Sequence, residues 1–280
     1  MYYKEFLRVR RFVIVYAIVV TIVALIAFAG TEHVYGSHLH VNVSTTASTH
    51  AMVAAAAAGD TTNVQAPGIE LHNVSHGSVP LEVLFVIPAF TTAIFALILG
   101  CFLANENCGH LEIAWTRPAS RTGYALRAMA VDAAGLAVAY LFTLGLCALY
   151  VALLGFSHNL RSDAALATNV VRFAIYPFAW YGLIAAITAS LRAGAGIVVG
   201  LTWVAAQIFL VLLTLRFPPI IHGLVLFVNL FNPMVYGGYS DTGHATYNTI
   251  MATPVAIGGL LGLAILGTGA ALLQWRRLEA

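Results

Sequence analysis

The chain has 280 residues, of which 60% are hydrophobic and only 9% charged, against about 25% charged in an ordinary soluble domain. Such a composition excludes a soluble globular protein and predicts an all-α, polytopic integral membrane protein, multi-pass in the bilayer. A net charge of +2 is too small to support nucleic-acid binding, so the useful quantity is where the Lys and Arg residues fall.

Residues 1–11 put Tyr3, Phe6 and Leu7 on one helical face and Lys4, Arg8 and Arg11 on the other. This predicts a short amphipathic elbow helix on the membrane surface; the alternative is a basic flank that only orients the first span. Phe12 to Ala29 is an apolar run ending in Ala27-Phe28-Ala29. The run is long enough to cross, which favours an uncleaved anchor over a cleaved leader.

Residues 30–80 are the largest polar segment and carry no Lys or Arg, so they are expected outside, as one large extracytoplasmic loop. His33, His38, His40, His50, His72 and His76 fall here. His38-x-His40 in a strand and His72-x-x-x-His76 in a helix each bring two imidazoles to one side, a spacing that Zn or Cu can use. A low-complexity loop in which histidine is merely one polar residue among others explains the same pattern.

The second span is expected over 81–104, the third over 123–156, the fourth over 173–191, the fifth over 196–215 and the sixth over 254–275. Arg127 and Asp132 fall near the inner end of the third, within reach of headgroups or a polar cavity. Ala133, Ala134, Gly135, Ala137 and Ala139 give that span a surface suited to close packing, and Gly196-x-x-x-Gly200 and Gly258-x-x-x-Gly262 fit the small-residue packing motif. From 217 to 250, Pro218-Pro219 open an apolar stretch that Asn232-Pro233 and Gly237-Gly238 close. The seventeen residues from Ile220 to Tyr236 would rise about 25 Å as helix against a hydrocarbon core of about 30 Å. We therefore expect a re-entrant segment covered by other helices.

Ten of the thirteen Lys and Arg fall before Phe12, in 106–127, at Arg192, and at Arg276 and Arg277; these groups alternate with segments holding only Arg161, Arg172 and Arg216. The asymmetry places both termini in the cytoplasm with an even number of spans, six in all. Three cysteines in scattered contexts give no disulfide framework.

Residues 105–122 are the polar interruption between spans two and three. Asn105 or Asn107 can cap a short helix there, Leu111, Ala114 and Trp115 share one face of it, and Pro118 stops it. Either a solvated linker or a docking element fits. Residues 109–127, Gly-His-Leu-Glu-Ile-Ala-Trp-Thr-Arg-Pro-Ala-Ser-Arg-Thr-Gly-Tyr-Ala-Leu-Arg, resemble the pattern E…G-T-L-E-L-L-L-x-R-P-V-S-R-x-x-Y-L-L-G-K of type-2 ATP-binding-cassette (ABC) exporter permeases. Glu106, Gly109, Leu111, Glu112, Arg117, Pro118, Ser120, Arg121 and Tyr124 match; His110 stands where the family has threonine and Arg127 where it has lysine.

The resemblance implies a single transmembrane permease domain over 1–280 whose 105–122 segment is a cytoplasmic coupling helix. Glu106, Gly109, Leu111, Glu112, Trp115, Arg117, Pro118, Ser120 and Arg121 would then meet an ATP-binding subunit. It also implies a second permease subunit, in a homodimer or heterodimer, with ATP and Mg held on the partner subunit. The expected location is a prokaryotic inner or plasma membrane. No Gly-x-x-x-x-Gly-Lys-Ser/Thr loop occurs, so the chain is not expected to be an enzyme by itself. The long outer loop departs from the short one common in such exporters. A second function is open on that account: a membrane metal-binding protein using His33, His38, His40, His72 and His76.

Overall fold

A computed structural model describes residues 2–37, 79–81, 83–102, 104, 121–153, 160–161, 166–191, 193–213, 215, 217–237 and 253–277. Eight helices are formed among them: α1 (Tyr2–Ser37), α2 (Val83–Gly100), α3 (Arg121–Leu153), α4 (Leu166–Thr188), α5 (Ala195–Leu212), α6 (Pro219–Asn229), α7 (Pro233–Gly237) and α8 (Thr253–Arg277). Two-residue strands β1 (Val79–Pro80) and β2 (Leu160–Arg161) pair in parallel ahead of α2 and α4. Met1–Thr21 with Val79–Ala280 form one compact unit. Ile22–Ser78 form another, described only over the last part of α1.

Five helices are long and apolar enough to cross a membrane: Phe6–Ile26, Thr122–Leu153, Leu166–Thr188, Ala195–Leu212 and Val255–Arg277. Their outer faces carry large apolar side chains such as Ile197, Leu201, Leu266 and Leu153, each more than 60% exposed, as lipid contact requires. The fold is therefore that of an all-helical, multi-pass membrane protein. The second expected span is represented by a shorter apolar helix, Leu84–Gly100. At its end Gly100 sits beneath Ile184 and its carbonyl accepts from the Thr188 hydroxyl at 3.1 Å, after which the chain turns at Cys101.

The elbow helix expected over 1–11 is not set apart by a break from the first span. With no Pro or Gly before Gly30, nothing interrupts the helical ladder, and α1 runs unbroken from Tyr2 to Ser37. Its facing is corrected. Phe6 is 55% exposed, whereas Val9 is buried and Arg8 points into the protein. The outer segment beginning at residue 30 likewise starts as helix. The fourth span begins seven residues earlier than expected, so Asn169 and Arg172 lie buried on α4.

The protein is organised around α4: 56% of its apolar window is buried, against at most 22% in the other four spanning helices. Phe173, Tyr176, Trp180 and Ile184 are fully enclosed. Phe90 of α2 lies 5.0 Å from the Tyr176 ring, and Trp203 of α5 lies 5.0 Å from Trp180. Against α8 the approach is backbone to backbone. A Cβ placed on Gly182 would come within 2.8 Å of the Ala264 carbonyl oxygen, and one on Gly267 would strike Gly182 itself. In lipid no hydrophobic driving force brings helices together, so van der Waals packing at the close approach that small residues allow carries more of the association.

The glycine spacing read from the sequence picked other positions. Gly196, Gly200, Gly258 and Gly262 have no atom within 4 Å of where a Cβ would stand. A pair of glycines four apart marks a smooth face, but it does not say whether a neighbour uses it. On α3 the expectation fares better: Gly135 receives Val9 of α1, and Ala139 is fully buried.

α1 is also held by a hydroxyl cluster. The Tyr16 hydroxyl lies 2.8 Å from Thr143 Oγ1 and donates to Thr91 Oγ1 at 3.1 Å, while its ring stacks on Phe95 at 4.9 Å. These bonds join α1, α2 and α3.

After α5 the chain doubles back. Asn229 Nδ2 donates to the Phe209 carbonyl and Asn232 Nδ2 to the Ala206 carbonyl, both at 2.9 Å, so α6 runs antiparallel to α5. The helix breaks at Leu230 and Phe231. Asn232 then caps α7, accepting the Met234 amide at 3.1 Å with Pro233 in the first helical position. Asn232 also donates to Asn229 Oδ1 at 3.0 Å, and the Tyr236 hydroxyl covers the Leu230 carbonyl. Asn232→Ala removes the cap and two donated bonds, and we expect it to lower stability by about 2 kcal/mol in mixed-micelle unfolding. A loss below about 0.5 kcal/mol would show that the break is held by something else.

Candidate functional site

The expected coupling residues Glu106, Gly109, Leu111, Glu112, Trp115, Arg117, Pro118 and Ser120 lie outside the described residues; Arg121 opens α3. His38, His40, His72 and His76 also lie outside them, and His33 lies on α1. Among the described residues no group of three or more His, Cys, Asp or Glu could hold a metal ion. The structure does describe the two helix ends that flank residues 105–120, the end of α2 and the start of α3. A polar site is built there.

Asp132 sits on the fourth turn of α3 and is fully buried. A carboxylate withdrawn from water is stable only when charge and hydrogen bonds replace its hydration. Two side chains from other helices do so: Arg8 of α1 places Nη2 2.5 Å from Asp132 Oδ1, and the Tyr181 hydroxyl of α4 donates to Oδ2 at 3.0 Å. The guanidinium carbon of Arg8 also lies 3.2 Å from the centroid of the Phe102 ring. Phe102 stands just past α2, three residues ahead of 105–120, and its ring lies 6.4 Å from that of Tyr124 in the first turn of α3. One cation thus joins α1, α3 and the end of α2, with α4 closing the far side of the carboxylate.

The C-terminal ends of α2, α4 and α8 are also tied to one another. Thr188 bonds to Gly100 as above, and Gln274 Nε2 donates to the Ala186 carbonyl at 2.9 Å. Trp275 is 1% exposed beside them, whereas the last-turn residues Arg276 and Arg277 are exposed.

The sequence reading placed Asp132 near the inner end of a span but left it facing headgroups or a cavity; its partners Arg8 and Tyr181 were missed. The signal was available. Asp132 is the one acid within the third apolar run, and an intramembrane acid calls for a cation from a neighbouring helix. Which cation cannot be read without knowing that α1 packs on α3.

No family model, curated protein or solved structure matches the chain.

Proposed function

We propose that the chain is the transmembrane permease subunit of an ABC transporter, an exporter, with residues 105–122 as the coupling helix that docks onto a separate ATP-binding subunit. The observation that carries the reading is the sequence from Glu106 to Arg121, with its Arg117-Pro-Ala-Ser-Arg121 motif, standing between two apolar helices whose flanking rings, Phe102 and Tyr124, lie 6.4 Å apart. In this reading α1, α2, α3, α4, α5 and α8 are six crossings, and both termini are cytoplasmic in a prokaryotic inner or plasma membrane. Residues 217–250 are the re-entrant segment.

Two features support that topology. The eighteen residues of α2 rise about 27 Å, close to the hydrocarbon thickness. The eleven of α6 rise only about 16 Å, and the break after them is bonded by Asn229, Asn232 and Tyr236, as irregular backbone at membrane depth requires. Two permease subunits would enclose the pathway, and ATP and Mg would be held by the partner. The chain's own task is mechanical: to convert a change in the ATP-binding subunit into a change in the arrangement of its helices.

Affinity purification from native membranes is the test. A stoichiometric ATP-binding subunit should come down with the tagged chain. Glu112→Lys or Arg121→Glu should lower transport per ATP hydrolysed by about tenfold, within the usual range of intersite coupling. Recovery of the tagged chain alone, with variants indistinguishable from wild type, would remove the proposal.

A further inference from the structure

Arg8 does not behave like its neighbours. Arg10 and Arg11 are exposed, as basic residues at the inner end of a span normally are, with their charges reaching water or headgroups. Arg8 turns the other way, its side chain only 20% exposed, against Asp132 and Phe102. The planar guanidinium can lay its face on a ring while its edge meets a carboxylate; the compact ammonium of lysine cannot satisfy both at once.

The pair is poorly explained as glue. Val9 already packs α1 into the notch at Gly135, and a buried ion pair usually contributes no more stability than apolar side chains of the same volume. What such a pair supplies is a fixed geometry. Here the geometry fixed is that of the two anchors of segment 105–120: Phe102 is held directly, Tyr124 through its ring contact with Phe102, and α3 through Asp132.

We infer that Arg8 is a positioning residue for the coupling segment, and that the N-terminal helix takes part in coupling through it. Arg8 acts through Phe102 and Asp132 and need not touch the partner subunit. The inference rests on the permease reading, but its first test does not.

Hydrogen exchange of the chain in lipid nanodiscs, wild type against Arg8→Lys and Phe102→Leu, reads the positioning directly. Lysine keeps the charge, and leucine at 102 keeps the ion pair while removing the ring. Both variants should raise exchange across 102–124 by about tenfold while the core of α4 keeps its protection. A structural role for Arg8 in seating α1 alone would instead raise exchange within α1 in Arg8→Lys and leave 102–124 unchanged in both variants; that result overturns the inference.

The second measurement uses the complex with the ATP-binding subunit. Arg8→Lys should assemble normally yet lose transport per ATP by at least about fivefold. Normal coupling in an intact complex overturns the inference and leaves the permease reading standing. If no ATP-binding subunit accompanies the wild-type chain, the permease reading fails and the exchange result decides the positioning role alone.

Discussion

Gly182→Val is expected to destabilise the protein by about 3 kcal/mol, the upper end of what overpacking costs, and to lower the midpoint of thermal unfolding in detergent by roughly 10 °C. The reason is the nature of the obstacle. At most crowded glycines the atom in the way belongs to a side chain, but at Gly182 it is backbone: the Ala264 and Leu263 carbonyl oxygens, 2.8 and 2.9 Å from the position of the new Cβ. Neither can move without shifting α8, and α8 is packed along the length of α4, the helix that organises the rest. Gly196→Val is the control. It has the same change in side chain and lies in a helix of the same kind, but no atom lies within 4 Å, so its effect should stay within about 0.5 kcal/mol. Equal losses at the two positions would show that the cost comes from helix propensity or insertion, and that the α4–α8 crossing is not tight.

That contrast also shows what the sequence could reveal. Helix positions were legible because an apolar run of eighteen or more residues has few alternatives, and all five long spans stand where the runs do. Ends were less legible, because they depend on partners. α2 ends beside Thr188, which donates to the Gly100 carbonyl, and α4 begins early enough to carry Asn169 and Arg172 into buried places. The break at 230–232 was visible in Asn232-Pro233, a cap followed by the residue best suited to a first helical position. Packing faces were the least legible. Periodicity marks Gly196 and Gly258 as well as it marks Gly182, and only the arrangement of helices decides among them. The same holds at the candidate site: Asp132 was recognisable as an acid in need of a partner, while Arg8 looked like one of several basic residues on a surface helix. In the structure α1 is continuous from Tyr2 to Ser37, and Arg8 on it turns toward Asp132.

The Arg8–Asp132 pair gives the second large expected effect, and it is best read as a cycle. Arg8→Met removes the guanidinium from a fully buried carboxylate, and we expect a loss of about 3 kcal/mol, at the lower end for breaking a buried pair because Arg8 keeps some exposure. Asp132→Leu removes the carboxylate from a guanidinium enclosed by Phe102 and should cost a similar amount. Tyr181→Phe removes one donated bond at 3.0 Å and should cost about 1 kcal/mol, since hydrogen bonds between helices in lipid are worth that or less. The double variant Arg8→Met with Asp132→Leu places two apolar side chains of similar length against each other. It should recover most of the stability lost by either single change, leaving a loss of about 1 kcal/mol where additive changes would leave about 6, a coupling energy of about 5 kcal/mol in reversible mixed-micelle unfolding. If the two losses simply add, Arg8 and Asp132 do not interact in the folded protein, and the site at the anchors of 105–120 loses its centre. If the double variant is as stable as wild type, the pair is dispensable for folding, and its place between the N-terminal helix and the two anchors must be explained by what it positions.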